Sequence, residues 1–149
     1  MEQTVFRDRL NNKGMSLIEM FIALVIILIT SLAMMSTALL GIQTNMANSL
    51  RDEAVGVAEA KMNELRNLQF TADGIHASLA ATGAGGTAEP SVARMIRASS
   101  FTFSVRKTIV DVGTAGDLKQ VTIAVTWTFK GQNYTHSITS ILKRQEVAS

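Results

Sequence analysis

The stretch MFIALVIILI, residues 20–29, is apolar without interruption, and it lies in a segment, residues 20–42, whose most polar members are serine and threonine. As an α-helix with a rise of about 1.5 Å per residue, residues 20–42 are about 34 Å long. A bilayer core of about 30 Å is crossed by about 20 residues. The segment therefore predicts a membrane-inserted helix. The alternative is a buried helix of a soluble protein, and the downstream residues are too few to enclose one.

The residues before this segment indicate its orientation. Arg7, Arg9 and Lys13 stand there against Glu2 and Asp8. Segments rich in Lys and Arg tend to remain on the cytoplasmic side of a membrane. We therefore expect a single-pass membrane protein, with its N-terminus in the cytoplasm and the residues after about 42 exported.

A helical period continues beyond the apolar segment. Apolar residues recur at steps of three and four as far as Leu68, and charged residues occupy the opposite face. This pattern predicts one helix over residues 15–69. Its first part, residues 15–42, is apolar all round, and its second part, residues 43–70, is amphipathic and requires a partner surface.

The C-terminal half changes in character. ATGAGGTAEP, residues 81–90, holds three glycines and the only proline, so residues 71–100 predict a variable loop region in which 92–98 form a short helix or nothing regular.

Alternation of apolar and polar residues then predicts strands over 101–112, 121–129 and 134–142 within an antiparallel sheet, residues 101–149. GTAGD (113–117) and KGQN (130–133) predict the turns. One apolar sheet face requires cover, which the amphipathic helix provides. The predicted fold class is therefore α+β, one long N-terminal helix packed on a small antiparallel β-sheet.

Composition argues against most catalytic chemistry. The 149 residues include no cysteine and two histidines, and 14 basic against 12 acidic residues give a net charge of +2. Disulfides and thiolate sites are excluded, and two histidines are too few for a histidine-rich metal centre. Acids and histidine after residue 100 form no recognisable catalytic set: Asp111, Asp117, His136 and Glu146. We expect no enzymatic activity, no metal and no cofactor.

Three further features receive structural interpretations. His136 is expected at the sheet edge, and Trp127 is expected in the core. A loose basic group without interleaved aromatic residues predicts a solvated face and no nucleic-acid partner; it comprises Arg94, Arg97, Arg106 and Lys107.

The junction before the apolar segment reads K-G-M-S-L-I-E, from Lys13 to Glu19. Together with the uncharged run that follows, it resembles the class III signal of type IV prepilins and pseudopilins. The resemblance implies that residues 1–14 are a leader, that a prepilin peptidase cleaves between Gly14 and Met15, and that the new amine of Met15 is methylated. It also implies a pilin-like fold and four partners: other pilins along the N-terminal helix, the peptidase/methylase, an inner-membrane assembly platform and membrane lipid.

The charge of Glu19 suggests a role that agrees with this resemblance. A carboxylate within a bilayer is costly, less so near the end of a span. Residues four apart share a helix face, so the cationic amine of Met15 is near Glu19 in the same chain or in a staggered neighbour. Neutralisation by a neighbour would fix the axial register during assembly. The alternative is a passive glutamate at the headgroup level.

Within this family the chain is most similar to minor pilins of the PilV type. The absence of proline from the span, Met15 itself, the missing cysteine pair and AEAKMNELRNL (residues 58–68) support this. The expected function is a structural subunit in priming or tip assembly of a type IV pilus, and so in adhesion or motility. Two alternatives remain: a minor pseudopilin of type II secretion, or a secreted periplasmic domain released by a signal peptidase, starting at Met34 or Leu39.

Overall fold

The computed structural model describes residues 16–71, 74–113 and 116–145. Helix α1 comes first and is followed by two short strands, a 3-10 turn and four longer strands. Their bounds are α1 (Leu17–Arg66), β1 (Phe70–Thr71), β2 (Gly74–Ile75), the turn (Ala77–Leu79), β3 (Thr87–Ile96), β4 (Ser99–Val112), β5 (Leu118–Phe129) and β6 (Gln132–Lys143). The predicted fold class, one long N-terminal helix packed on a small antiparallel sheet, is confirmed, and the fold is pilin-like in form.

The chain divides into two compact units, Met1–Gln43 and Thr44–Ser149. The described part of the first unit is helical from Leu17 onward. Its large apolar side chains are exposed, from 40% for Val25 to 85% for Leu17. Among the described residues, α1 is the one helix with the length and composition to cross a membrane, and none of its most apolar window is buried.

The second unit is a helix packed on a sheet. The four long strands are antiparallel neighbours in the order β3-β4-β5-β6. One face of the helix supplies six buried residues, namely Leu50, Ala54, Val57, Ala58, Met62 and Leu65. Alternate residues of β4 and β5 meet them, namely Phe103, Val105, Ile109, Val121, Ile123, Val125 and Trp127. The expected core position of Trp127 and the helix-on-sheet cover are therefore confirmed.

The predicted loop region, residues 71–100, is wrong over 87–96. Those residues form strand β3, so the sheet has four long strands where the sequence predicted three. β3 lies at the sheet edge, where a proline such as Pro90 removes no necessary ladder hydrogen bond. A register shift between Glu89 and Val92 also breaks the two-residue alternation by which strands are recognised.

Smaller differences concern the element ends. Helix α1 ends at Arg66, three residues before the predicted limit at 69, because apolar periodicity identifies a helix more reliably than it locates the helix end. The predicted turn at 113–117 lies partly outside the described residues. The other predicted strands are each extended by one to three residues.

The expectation of a solvated basic face is wrong for Lys107. This residue occupies an inward position of β4 and is 7% exposed. Its Nζ lies 2.8 Å from Glu89 Oε1 and donates to the Ser78 carbonyl at 3.1 Å. Arg94 and Arg106 are exposed, and Arg94 pairs with Glu53 at 2.7 Å. The four basic residues therefore do not form one surface.

Candidate functional site

The proposed processing site adjoins the start of helix α1. Gly14 and Met15 lie outside the described residues, so cleavage between them stays a prediction. Ser16 is described, and its carbonyl accepts a hydrogen bond from the Met20 amide at 3.1 Å. The helix begins at the next residue, Leu17.

Glu19 lies in the first turn of α1, and its side chain is exposed. It is the only charged residue between Lys13 and Arg51. The N-terminus of a helix carries partial positive charge, which favours a carboxylate there. The structure therefore places this acid at the end of the apolar segment, where a carboxylate is least unfavourable, and leaves it accessible to a partner cation.

The same turn has a second feature that was not predicted from the sequence. Ser16 immediately precedes the helix and Glu19 is its third residue, which is the S-x-x-E spacing of a capping box. In that motif the glutamate supports the start of its own helix. This four-residue spacing can be recognised in the sequence alone. It predicts that Glu19 caps its own helix, and any test of assembly must separate this role from pairing between subunits.

Hydroxyl groups within the apolar segment have partners inside the helix. Thr30 Oγ1 donates to the Ile26 carbonyl at 3.0 Å, and Ser36 and Thr37 donate to the carbonyls four residues earlier at 3.0 and 3.1 Å. Side-chain hydroxyls satisfied in this way require no water. These three polar residues are therefore compatible with a lipid or helix-bundle environment.

The exposed apolar surface of the first unit is the feature that most directly indicates a function. Seventeen large apolar side chains between Leu17 and Ile42 are exposed. The largest apolar patch on a soluble monomer is usually about 300–600 Å². An exposed segment of this extent requires cover by lipid, by other helices or by both in turn.

Candidate catalytic residues are not brought together. Asp111 lies opposite Lys119 and forms an ion pair with it, whereas His136 lies opposite Val125. Lys119 and Val125 are six residues apart on β5, which corresponds to about 20 Å along a strand. Asp117 lies at the β4–β5 turn, and Glu146 is outside the described residues. Within the described ranges, no cluster of three His, Asp or Glu suitable for a metal ion occurs.

A cleft lies within the second unit, beside edge strand β6. It measures about 390 Å³ and contains no carboxylate; its lining is Ala47, Asn48, Arg51, Trp127, Phe129, Tyr134, Thr135 and His136. Tyr134 stacks on Trp127 with ring centroids 5.8 Å apart. Half-buried His136 lies on edge strand β6, as expected. The lining offers one guanidinium and one imidazole but no acid to act with them.

Comparison with known proteins adds no relative, since no family model, no curated protein and no solved structure matches this chain. The prepilin hypothesis therefore depends on the junction residues and on the form of the fold.

Proposed function

We propose that this chain is a minor pilin, a non-enzymatic subunit that inserts in the inner membrane through residues 17–42 and takes part in type IV pilus assembly. The observation that carries the proposal is the exposed apolar helix with one carboxylate, Glu19, in its first turn. A fibre subunit must exchange lipid for the helices of its neighbours. A helix that is apolar on every side suits both environments.

The proposed maturation creates a cationic partner for Glu19, which forms no ion pair with the part of the chain that the structure describes. Removal of residues 1–14 leaves the amine of Met15, which stays cationic when methylated. Met15 precedes Glu19 by four residues, one helical turn. An amine from a staggered neighbour can therefore neutralise the carboxylate at one axial offset, which makes the pair a register device for assembly.

The core of the second unit does not use the apolar segment, which supports this proposal. Its buried core begins at Leu50, so residues 17–43 contribute no buried residue to it. The whole apolar segment therefore remains available for lipid or for other subunits. In this proposal the second unit faces the periplasm before assembly and the fibre surface afterwards.

Processing provides the most direct test. Intact-mass analysis of the protein extracted from membranes is expected to give the 135 residues that remain after a 14-residue leader, carrying one added methyl group. Gly14→Leu should abolish cleavage, because a glycine offers a peptidase no obstructing side chain. A mature N-terminus at Met34 or Leu39 would contradict the proposal and favour the secreted domain.

The secreted-domain alternative has one observation in its favour. Cleavage before Met34 or Leu39 leaves the second unit, Thr44–Ser149, intact. Fractionation separates the two outcomes, because a secreted domain is soluble in the periplasm whereas a prepilin product remains in the membrane. Loss of surface fibres on deletion would identify a pilus subunit, and loss of exported enzymes with normal fibres would identify a pseudopilin.

A further inference from the structure

Two hairpin tips project from the same end of the sheet. The β3–β4 hairpin turns at Arg97 and Ala98, and the β5–β6 hairpin turns at Lys130 and Gly131. Among the described pairs, β4 and β5 are neighbours only as far as Ser104 and Thr126. Beyond that pair each hairpin continues alone as a two-stranded ribbon. We call these two ribbon ends, residues 95–100 and 129–134, the tip surface.

The tip surface lies at the end of the second unit where the helix residues nearest Thr44 pack. Phe129 lines the same cleft as Ala47 of α1. At the opposite end, Ile138 lines a groove with Met62 and Arg66. The start of the packed helix therefore lies at the tip end of the sheet, and the end of the helix lies at the opposite end. Thr44, the first residue of the second unit, therefore lies toward the end of this unit that carries the tip surface.

Both tips carry a cation at a position that is unfavourable for its backbone. Arg97 and Ala98 have φ of 47° and 64°, and Lys130 and Gly131 have φ of 51° and 76°. Two-residue turns of this kind favour Asn-Gly, because side chains with a Cβ resist positive φ. An exposed arginine and an exposed lysine at these positions are therefore not explained by the turns themselves.

Charge and apolar exposure are combined at these tips. Neither 91–110 nor 118–145 contains an Asp or a Glu, and within the described residues neither Arg97 nor Lys130 has an ion-pair partner. Met95 is 79% exposed and Tyr134 is 43% exposed. Cations beside an exposed thioether and a phenol are typical of surfaces that contact the headgroup layer of a membrane.

We propose that the tip surface binds anionic phospholipid headgroups, holding the second unit against the membrane before assembly. The inference rests on the proposed function, because it requires insertion of the preceding apolar segment. That insertion also identifies the occupant, since phospholipid is then present beside Thr44 at high local concentration. Arg97 and Lys130 would contact the phosphates, while Met95 and Tyr134 would enter the interfacial layer.

The absence of cysteine makes the test direct. A fluorophore is placed at Gln132→Cys on the tip surface or at Gln120→Cys near the opposite end of the sheet, both exposed positions. The full chain is reconstituted in vesicles of phosphatidylcholine, with or without phosphatidylglycerol, that contain a headgroup-labelled quencher lipid. We expect strong quenching at position 132 only with phosphatidylglycerol, and weak quenching at position 120 in both vesicles.

Charge removal tests the cause. Arg97→Asn with Lys130→Asn keeps residues that tolerate positive φ and removes both charges. Each basic residue near an anionic surface changes binding by about five-fold, so this double variant should lower the membrane-contacting population by an order of magnitude or more. The control, Arg66→Gln with Lys143→Gln, removes equal charge near the other end of the sheet and should leave quenching at position 132 unchanged.

The outcomes separate this inference from the proposed function. Vesicle flotation with no quenching at position 132 would overturn lipid binding while leaving membrane insertion intact. Quenching that is independent of phosphatidylglycerol and of the two cations would also overturn it. Quenching that falls as protein density rises, together with energy transfer between labelled chains, would assign the surface to a second copy. A chain that does not float with vesicles would refute the proposed function itself.

Discussion

Glu19 combines two roles that substitution can separate. The S-x-x-E spacing predicts that Glu19 supports the start of α1 as part of a capping box, in which glutamine serves equally well at that position. As the proposed partner of a neighbour's amine, it acts through its charge, which glutamine lacks. The two roles therefore predict different results for the same conservative change.

We expect Glu19→Gln and Glu19→Ala to insert and to lose the leader normally, yet to be depleted at least tenfold from sheared surface fibres. Breaking a buried ion pair costs about 3–5 kcal/mol, and tenfold corresponds to about 1.4 kcal/mol, which allows for partial escape of the amine to the headgroups. Immunoblots of sheared and membrane fractions provide the measurement.

Ser16→Ala is the matched control for the local role. It removes the hydroxyl of the capping motif and keeps the charge, so its incorporation should stay within about fivefold of wild type, since loss of an N-cap costs about 1 kcal/mol. If Glu19→Gln behaves like wild type while Glu19→Ala and Ser16→Ala both fail, capping is the function of Glu19 and the register device is refuted.

Lys107 offers a second test at the scale of one side chain. Its ammonium is enclosed near Glu89 and the Ser78 carbonyl. We expect Glu89→Gln to lower the free energy of unfolding by about 1–3 kcal/mol, because it leaves the buried Lys107 ammonium unpaired. Lys107→Met should cost less than about 1 kcal/mol, because the Glu89 carboxylate that it leaves is 22% exposed and can be hydrated. Urea unfolding in detergent micelles, followed by the fluorescence of Trp127, measures both.

The double variant completes that experiment. If the pair is the cause, Glu89→Gln should have little further effect once Lys107 is methionine. Equal losses in the presence and absence of the lysine would show that Glu89 stabilises the unit through other contacts.

Helix α1 has two parts with different environments, and substitutions at one leucine in each part allow a comparison of the two. Leu50 is fully buried, whereas Leu32 is 59% exposed. Leu50→Ala should lower the free energy of unfolding of the second unit by about 2–5 kcal/mol. Leu32→Ala removes the same atoms from a surface that packs nothing in this unit, so its unfolding curve, followed by Trp127 fluorescence, should match wild type. A comparable loss from Leu32→Ala would mean that the first unit stabilises the second.

The elements that the sequence predicted correctly are those in which one periodicity extends over many residues. The six buried residues of the helix recur at steps of three and four, and the buried residues of β5 recur at steps of two. Such periods can be recognised because one side of each element is buried and the other faces solvent. The buried face of β5 could thus be assigned before the structure. The central strands of a sheet are the easiest to predict for this reason.

Edge strand β3 was missed for a physical reason, although the β5–β6 turn at KGQN, residues 130–133, was predicted. β3 contains a proline and a register shift, and its side chains are mostly exposed, so no buried alternation marks it. Lys107 was wrongly predicted to lie on a solvated face. A lysine is expected in solvent unless a buried partner is known, and its partner Glu89 lies in the strand that was missed. Contacts between distant residues leave no local pattern, whereas the S-x-x-E capping signal was local and could have been recognised.

At the scale of the whole chain, the two units differ in the solvent that each requires. The first exposes seventeen large apolar side chains by 40–85%, and complete burial of a fully exposed side chain of this kind contributes about 1.5–3 kcal/mol. The second encloses its own apolar core under helix residues 44–66. Transfer of the first unit into lipid or into a bundle of neighbouring helices is therefore strongly favourable, and it leaves the core of the second unit unchanged.

A fragment of residues 44–149 is accordingly expected to fold alone, as a soluble protein with one cooperative unfolding transition. The fifteen buried apolar residues of the described ranges all lie within it, so its free energy of unfolding should agree with that of the second unit in the micelle-bound full chain within about 1 kcal/mol, the size of one lost hydrogen bond. The full chain should sediment with vesicles, and the fragment should do so only weakly, through the tip surface. Urea unfolding and vesicle sedimentation measure these properties. A fragment that fails to unfold cooperatively would show that residues before Thr44 hold the second unit together, and the apolar segment would then be part of its folding and not a separate device for insertion and assembly.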